Sequence, residues 1–277
     1  MRYGLPIDRT RFLLWLIGAL AICEVGRGAR GLTSVLRDWV PLGLMLAAYD
    51  LTRGLADTLG MPVQRESLVR LESWLCGGRL PTLWLQERLA PFDGHLRWWE
   101  AVMTVLYLSH FVVSFVLLAA LWVRWRPGFV AFRRRFLSLT ALGLVTYMLV
   151  PAAPPWMAAR DGLIDPVHRI LVDALRTRGF RLSTALVDYG TAFANPVAAL
   201  PSLHAGWAAL VALCLCRHVR PWARPLLFLY PLAMGFMLVA AGEHYVIDIL
   251  LGYAYAAAVM LAWRVWDRRS AAAETLP

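Results

Sequence analysis

Lysine is absent from the 277-residue chain, and all 28 of its basic residues are arginine. That excludes lysine Schiff-base chemistry and any phosphate site built on an ε-ammonium group. Charge of either sign is scarce, at 17% of residues against about 25% in soluble domains. The four cysteines, Cys23, Cys76, Cys214 and Cys216, have spacings that give neither a disulfide framework nor a zinc pattern. No internal repeat and no low-complexity linker interrupts the chain, which argues against a solenoid and for one domain. The formal charge of +10 comes from arginines scattered through short loops. A nucleic-acid surface would gather them on one face, so no nucleic-acid partner is expected.

What the chain has is apolar length. Hydrophobic residues make up 60% of it, with 13 tryptophans, where soluble domains hold about 45–50%. This is the composition of an integral membrane protein. A span needs about 20 apolar residues, and six such runs are expected at 39–58, 98–123, 136–151, 203–216, 225–241 and 245–266. The run at 12–23 is shorter and reads either as a tilted span or as an interfacial helix. No small-residue cleavage pattern follows it, which argues against a cleaved signal peptide. The predicted fold class is all-α, a polytopic helical bundle forming a single membrane domain over 1–277. Its core covers 39–266 and its tail, 267–277, is expected to be disordered.

Arginine in the short connections sets the orientation. "RWRPGFVAFRRR" (124–135), "RHVRPWAR" (217–224) and the C-terminal Arg264, Arg268 and Arg269 fall on one side by span parity. That side is read as cytoplasmic. The long loops 59–97 and 152–202 mix arginines with acids and fall outside. The position of the N-terminus depends on whether 12–23 spans. Within the second long loop, "PVHRILVDALRTRGF" has near-helical apolar spacing and reads as an amphipathic helix. It would either cover a site or pack over the bundle.

Two stretches carry chemistry. "AALPSLHAGWAAL" places His204 at the outer mouth of a span, and "AAGEHYVIDILLGY" places His244 and Asp248 at the mouth of another. Residues i and i+4 share a helix face, so Asp248 can hold one nitrogen of His244 and leave the other for nucleophilic or basic work. Ionisable groups at membrane depth mark functional sites. A single histidine near a helix end is more often structural. Both motifs at one depth, framed by Gly206, Gly242 and Gly252, favour catalysis. Two histidines and an acid could also bind zinc, but no further histidine or cysteine is placed with them, so no metal and no cofactor are expected. A non-catalytic lipid binder and a proton-coupled transporter are the competing classes. A transporter would spread its titratable groups along a path across the bilayer.

"PSLHA" followed some forty residues later by "GEHYVIDILLG" resembles the type 2 phosphatidic acid phosphatase superfamily, over roughly residues 39–266. The resemblance implies a six-helix bundle that cleaves phosphoester or pyrophosphate bonds in lipids without metal. It implies His244 as the nucleophile forming a phosphohistidine, Asp248 as its orienting group, and His204 as acid to the leaving oxygen and then base to the acceptor. Two departures matter. The superfamily's Lys-containing first signature cannot exist here, and Leu238 stands where an arginine precedes the motif histidine by six residues. The pattern is similar to the branch of inositol phosphorylceramide and sphingomyelin synthases. That branch implies a phosphotransferase, whereas the wider superfamily implies a phosphatase. Either way the partner is a lipid phosphate at the outer face of the plasma membrane. Nothing in the sequence indicates an oligomeric state.

The phosphate-binding cations must then come from elsewhere. Arg53, with Asp50 one turn deeper, sits near the outer end of the first span, and Arg160 ends "PAAPPWMAAR". Arg79 is a weaker candidate. Each guanidinium fork suits phosphoryl oxygens. Asp50 and Arg53 could equally form a structural pair. Tyr107 and His110 lie one turn apart on the 98–123 run. Both are candidate substrate contacts, but His110 reaches the triad only if that helix begins above the membrane, and a satisfied core histidine is the equal alternative. Asn195 is a further polar candidate. The cluster Arg133–Arg135 is expected to anchor to anionic headgroups. Topology is testable with reporter fusions: alkaline phosphatase joined after residue 165 should be active, and joined after residue 219 inactive. The reverse pattern would invert the orientation.

Overall fold

The computed structural model describes residues 14–15, 17–18, 21–22, 28–58, 60–90, 97–176 and 196–274, with side chains at all but 28–30, 50–58, 175–176 and 272–274. Helices dominate. They are α1 (Gly28–Thr58), α2 (Glu66–Leu75), α3 (Pro81–Leu89), α4 (Trp98–Arg124), α5 (Arg126–Leu149), α6 (Pro155–Arg160), α7 (Ile170–Arg176), α8 (Leu203–Leu215), α9 (Arg224–Ala240) and α10 (Val246–Glu274). The described positions within 12–23 are also helical. Among the described residues there is no named strand, only two isolated parallel bridges joining Gln64, Ala152 and Ala198.

α8 is the centre of the bundle. It packs on α10, α9, α5 and α4, while α1 packs on α5. From Leu203 to Ala212 every residue of α8 except His204 is buried. Its 13 residues span about 20 Å, short of the roughly 30 Å hydrocarbon core. Three stretches, Trp98–Arg124, Pro221–Ala240 and Val246–Ala271, are long and apolar enough to cross a membrane. α1 and α5 correspond to the other expected spans and have the length, but both carry several charged residues.

Helix ends depart from the sequence reading in three places. The expected cytoplasmic connection 124–135 is almost wholly helical, because Pro127 sits in the first turn of α5, where its missing N–H costs nothing. The first span is extended backward to Gly28. Residues 267–274, read as part of a disordered tail, continue α10. Ion pairing accounts for part of this last extension, since Arg134 and Arg135 both reach Asp267. The arginine cluster is therefore engaged within the protein rather than left for headgroups. Arg133 bonds the Asp38 carboxylate at 3.0 Å, and Arg126 and Trp122 Nε1 bond its other oxygen. Asp38 is buried, and a buried carboxylate is tolerable only when so paired. This clamp ties α1, α4 and α5 together at the end away from His204.

At the other end α8 and α10 cross at glycines. A Cβ on Gly252 would lie 2.4 Å from Ser202 O, and one on Gly206 3.2 Å from Gly252 O. Such close approach is how small residues serve helix contacts in membranes. The short helices α2, α3, α6 and α7, cut from the two long loops, lie over this end. α7 buries Ile170 and Leu171 and packs against α4, so the amphipathic stretch packs over the bundle. Gly252→Ala should lower stability by about 1–3 kcal/mol, the usual range for overpacking, read as a reduced melting temperature in detergent. An unchanged melt would show that the crossing is looser than described.

Candidate active site

His204 stands in the first turn of α8. Ser202 caps that helix, its Oγ accepting from Ala205 N at 3.3 Å. The Leu200–Pro201 peptide before it is cis, and the Tyr147 hydroxyl of α5 donates to Pro201 O at 2.7 Å. The His204 ring lies in an aromatic column. Tyr107 stacks on it at 5.0 Å and 22°, and His110 lies 4.0 Å away at 34°. His110 in turn stacks on Trp207 at 4.4 Å and 15°, and Trp207 Nε1 donates to Thr140 Oγ1. Because His110 reaches His204 from twelve residues inside α4, that helix begins well beyond the level of the histidines. His110 and Tyr107, candidates for substrate contact, thus lie directly against His204.

His244 arrives on the turn between α9 and α10. Gly242 makes the turn with φ +75°, a conformation costly for any residue with a Cβ. A Cβ there would also meet Val167 Cγ1 at 2.4 Å. The amides of Glu243 and His244 both donate to Leu238 O. Asp248 is 0% exposed. Its Oδ2 accepts from Tyr245 N at 2.8 Å and lies 3.3 Å from His244 Nδ1. The carboxylate therefore holds the Nδ1 side and leaves Nε2 for chemistry. The His204 and His244 rings face each other edge to face, centroids 5.8 Å apart. A backbone bond from Ser202 N to Asp248 O, 3.0 Å, ties the two arms together.

A polar rim surrounds this pair. Arg169 Nε and Nη2 donate to the two Glu243 carboxylate oxygens, each at 3.1 Å, and its Cζ lies 4.2 Å over the Trp156 ring. Trp156 N donates to Gly242 O at 3.2 Å. Arg160 approaches the same ring at 5.7 Å but pairs with Asp161, which also takes Arg65. Gln86 binds His168 through both its amide atoms and donates to Ala240 O. Behind the site, the Glu72 carboxylate of α2 accepts from Val246 N at 2.8 Å and Ile247 N at 3.2 Å. Burial pushes the Glu72 carboxyl above its ordinary range and the Asp248 charge adds to this, while the two amides pull the other way.

The structure thus brings His204, His244, Asp248, His110 and Tyr107 together. Arg160 stands on the rim with a side chain 59% exposed, and Arg79 is exposed between α2 and α3. Asp50 and Arg53 lie on α1, but their side chains fall outside the described residues, as does Asn195 altogether. Among the described residues, no group of three His, Cys, Asp or Glu is arranged to hold a metal ion. Sequence reasoning missed Arg169, Glu243 and Glu72. Glu243 adjoins His244 and was open to inspection. Glu72 follows Leu68 by four residues on the buried side of α2, an acid at an apolar position.

The sequence pattern of the PAP2 superfamily matches residues 67–262. The chain is 30% identical to the catalytic subunit of inositol phosphorylceramide synthase from Schizosaccharomyces pombe, over 69% of this chain and 44% of that one. It is 27% identical to the corresponding Saccharomyces cerevisiae subunit, over 77% of this chain and 52% of that one. It is 28% identical to phosphoinositol dihydroceramide synthase from Bacteroides thetaiotaomicron, over 51% and 47%. The matches span about half the length of these relatives. No solved structure matches significantly.

Tyr147→Phe would strand the buried Pro201 carbonyl at the base of the His204 turn. A loss of about 1–3 kcal/mol is expected, read by thermal melting in detergent. A neutral result would mean that another donor replaces the hydroxyl.

Proposed function

From the premise that this chain belongs to the PAP2 superfamily, as a membrane enzyme that transfers phosphoester groups, we propose that it moves a phosphoryl headgroup between lipids through His244. The donor is a phospholipid of the phosphoinositol type and the acceptor a ceramide-like lipid hydroxyl, the chemistry named for the relatives. The observation that carries this reading is the facing pair of imidazoles, one with its Nδ1 side held by a fully buried carboxylate. Two ring nitrogens on opposite sides of a phosphorus atom suit an in-line displacement.

In the first step His244 Nε2 attacks phosphorus. The N–P bond forms and the bond from phosphorus to the glycerol oxygen breaks. His204, protonated, gives its proton to that oxygen, releasing diacylglycerol. The headgroup phosphate remains on His244, and Asp248 stabilises the ring as it becomes cationic. In the second step the acceptor hydroxyl gives its proton to His204 as its oxygen attacks phosphorus, and His244 leaves. With water as acceptor the same site would hydrolyse this diester to diacylglycerol and inositol phosphate, and a monoester donor to inorganic phosphate, so the site alone does not choose. The synthase relatives favour a lipid hydroxyl.

Charge on the non-bridging oxygens needs cations. Arg169 is one candidate, since its partner Glu243 adjoins the nucleophile. Arg160 on the same tryptophan is the second. Arg53, with Asp50 beside it, and Asn195 stay as candidates from the sequence. The site lies at the α8 end remote from the Asp38–Arg126–Arg133 clamp, which supports action at the outer face of the plasma membrane.

The test is transfer from phosphatidylinositol labelled in the inositol, in vesicles with and without ceramide. The proposal expects a labelled sphingolipid that depends on ceramide. His244→Ala should abolish it, and Asp248→Asn should lower turnover by on the order of 10³–10⁴-fold. Release of labelled inositol phosphate without ceramide, at an undiminished rate, would make the enzyme a hydrolase of the phosphodiester, of the phospholipase C type, rather than a transferase. Turnover surviving in His244→Ala would remove the nucleophile from the scheme.

A further inference from the structure

Glu72 has no part in the chemistry above, yet it is the acid that best explains why Asp248 stands where it does. It is 1% exposed. It comes from α2, a helix 174 residues away in sequence from the amide that it binds. Both its carboxylate oxygens are spent on the first turn of α10, one on Val246 N and one on Ile247 N. These are orphan donors of a helix start, and no side chain of the preceding turn is shown to serve them. Tyr245, just before them, gives its amide to Asp248 Oδ2. Asp248, just after them, passes its carbonyl to Ser202 N. The turn that carries both His244 and Asp248 is thus held from outside by the Glu72 carboxylate, beside the backbone bond from Ser202.

We propose that Glu72 is a positioning residue for the nucleophile pair, acting through the backbone of the first α10 turn to set the His244–Asp248 contact. This rests on the transfer reading given above. A negative group at a helix N-terminus is favourable electrostatically, and the two amides fix its direction. α2 is suited to hold it steady. Leu68 and Glu72 are buried, while Leu71, Trp74 and Leu75 are exposed, and tryptophan favours the membrane interface. Moving a nucleophile by about 1 Å can cost on the order of 10²-fold in rate. Glu72 is buried with both oxygens engaged by backbone amides, so lipid binding should be indifferent to its loss.

The test uses the full chain in nanodiscs, with phosphatidylinositol as donor and ceramide as acceptor. Glu72→Ala should lower kcat by about 10- to 100-fold with KM for donor within about twofold, and amide exchange at 246–247 should quicken. Glu72→Gln keeps one carbonyl acceptor and should recover part of the rate. Glu66→Gln, an exposed acid on the same helix paired with Arg70, should leave kcat unchanged. A wild-type kcat in Glu72→Ala overturns the proposal, as does a loss matched by an equal loss of folded protein on gel filtration. His244→Ala is run alongside. If it keeps turnover, the transfer reading fails, while the hold of Glu72 on the turn is still read from amide exchange.

Discussion

At the crossing of α8 and α10 two backbones meet with almost no side chain between them. Gly206 and Gly252 allow it, and the bond from Ser202 N to Asp248 O joins the two helix starts there. Everything at the site follows from that contact. It places His204, two residues after Ser202, opposite His244, four residues before Asp248. Widening the crossing by one methyl group would separate the imidazoles and loosen both helix caps together. In a bilayer no hydrophobic drive pulls helices together, so close packing and backbone bonds must set such geometry.

Around that contact the protein arranges support in layers. The aromatic column of Tyr107, His110 and Trp207 backs one imidazole. A buried carboxylate and the α9–α10 turn fix the other. The short helices α3 and α2 then cap the ends of α9 and α10, with Thr82 and Gln86 donating to the last carbonyls of α9 and Glu72 accepting from the first amides of α10. At the far end the Asp38 clamp joins α1, α4 and α5, so the bundle is pinned at both faces. The absence of lysine now has a structural counterpart, since the ionic contacts of the rim and the clamp are made by arginine forks, several of them also lying over aromatic rings.

The membrane class, the helical runs and the His204–His244–Asp248 constellation were legible because each rests on local pattern. Apolar length marks a helix, and i to i+4 spacing marks a shared face. The role of α2 was not legible, because Glu72 acts on an amide far along the chain and no local spacing announces such a bond. The loop 124–135 misled for a related reason. Its arginines read as a solvated connection, but their partners, Asp38 and Asp267, lie on other helices. His110 was ambiguous because its depth depends on where α4 begins relative to the bilayer, a tertiary fact. The synthase branch, by contrast, was visible in the departures themselves, where Leu238 and the missing lysine set the chain apart from the phosphatase signatures.

The central claim is that His244 carries the phosphoryl headgroup between donor and acceptor. The direct measurement is to incubate the enzyme with phosphatidylinositol in the absence of acceptor and quench in alkali, in which a phosphorus–imidazole bond survives. The peptide that contains His244 is then weighed by mass spectrometry. The account predicts a phosphoinositol adduct on that histidine, discharged when ceramide is added before the quench. An adduct on another residue, or donor turnover with none formed on His244, would contradict it.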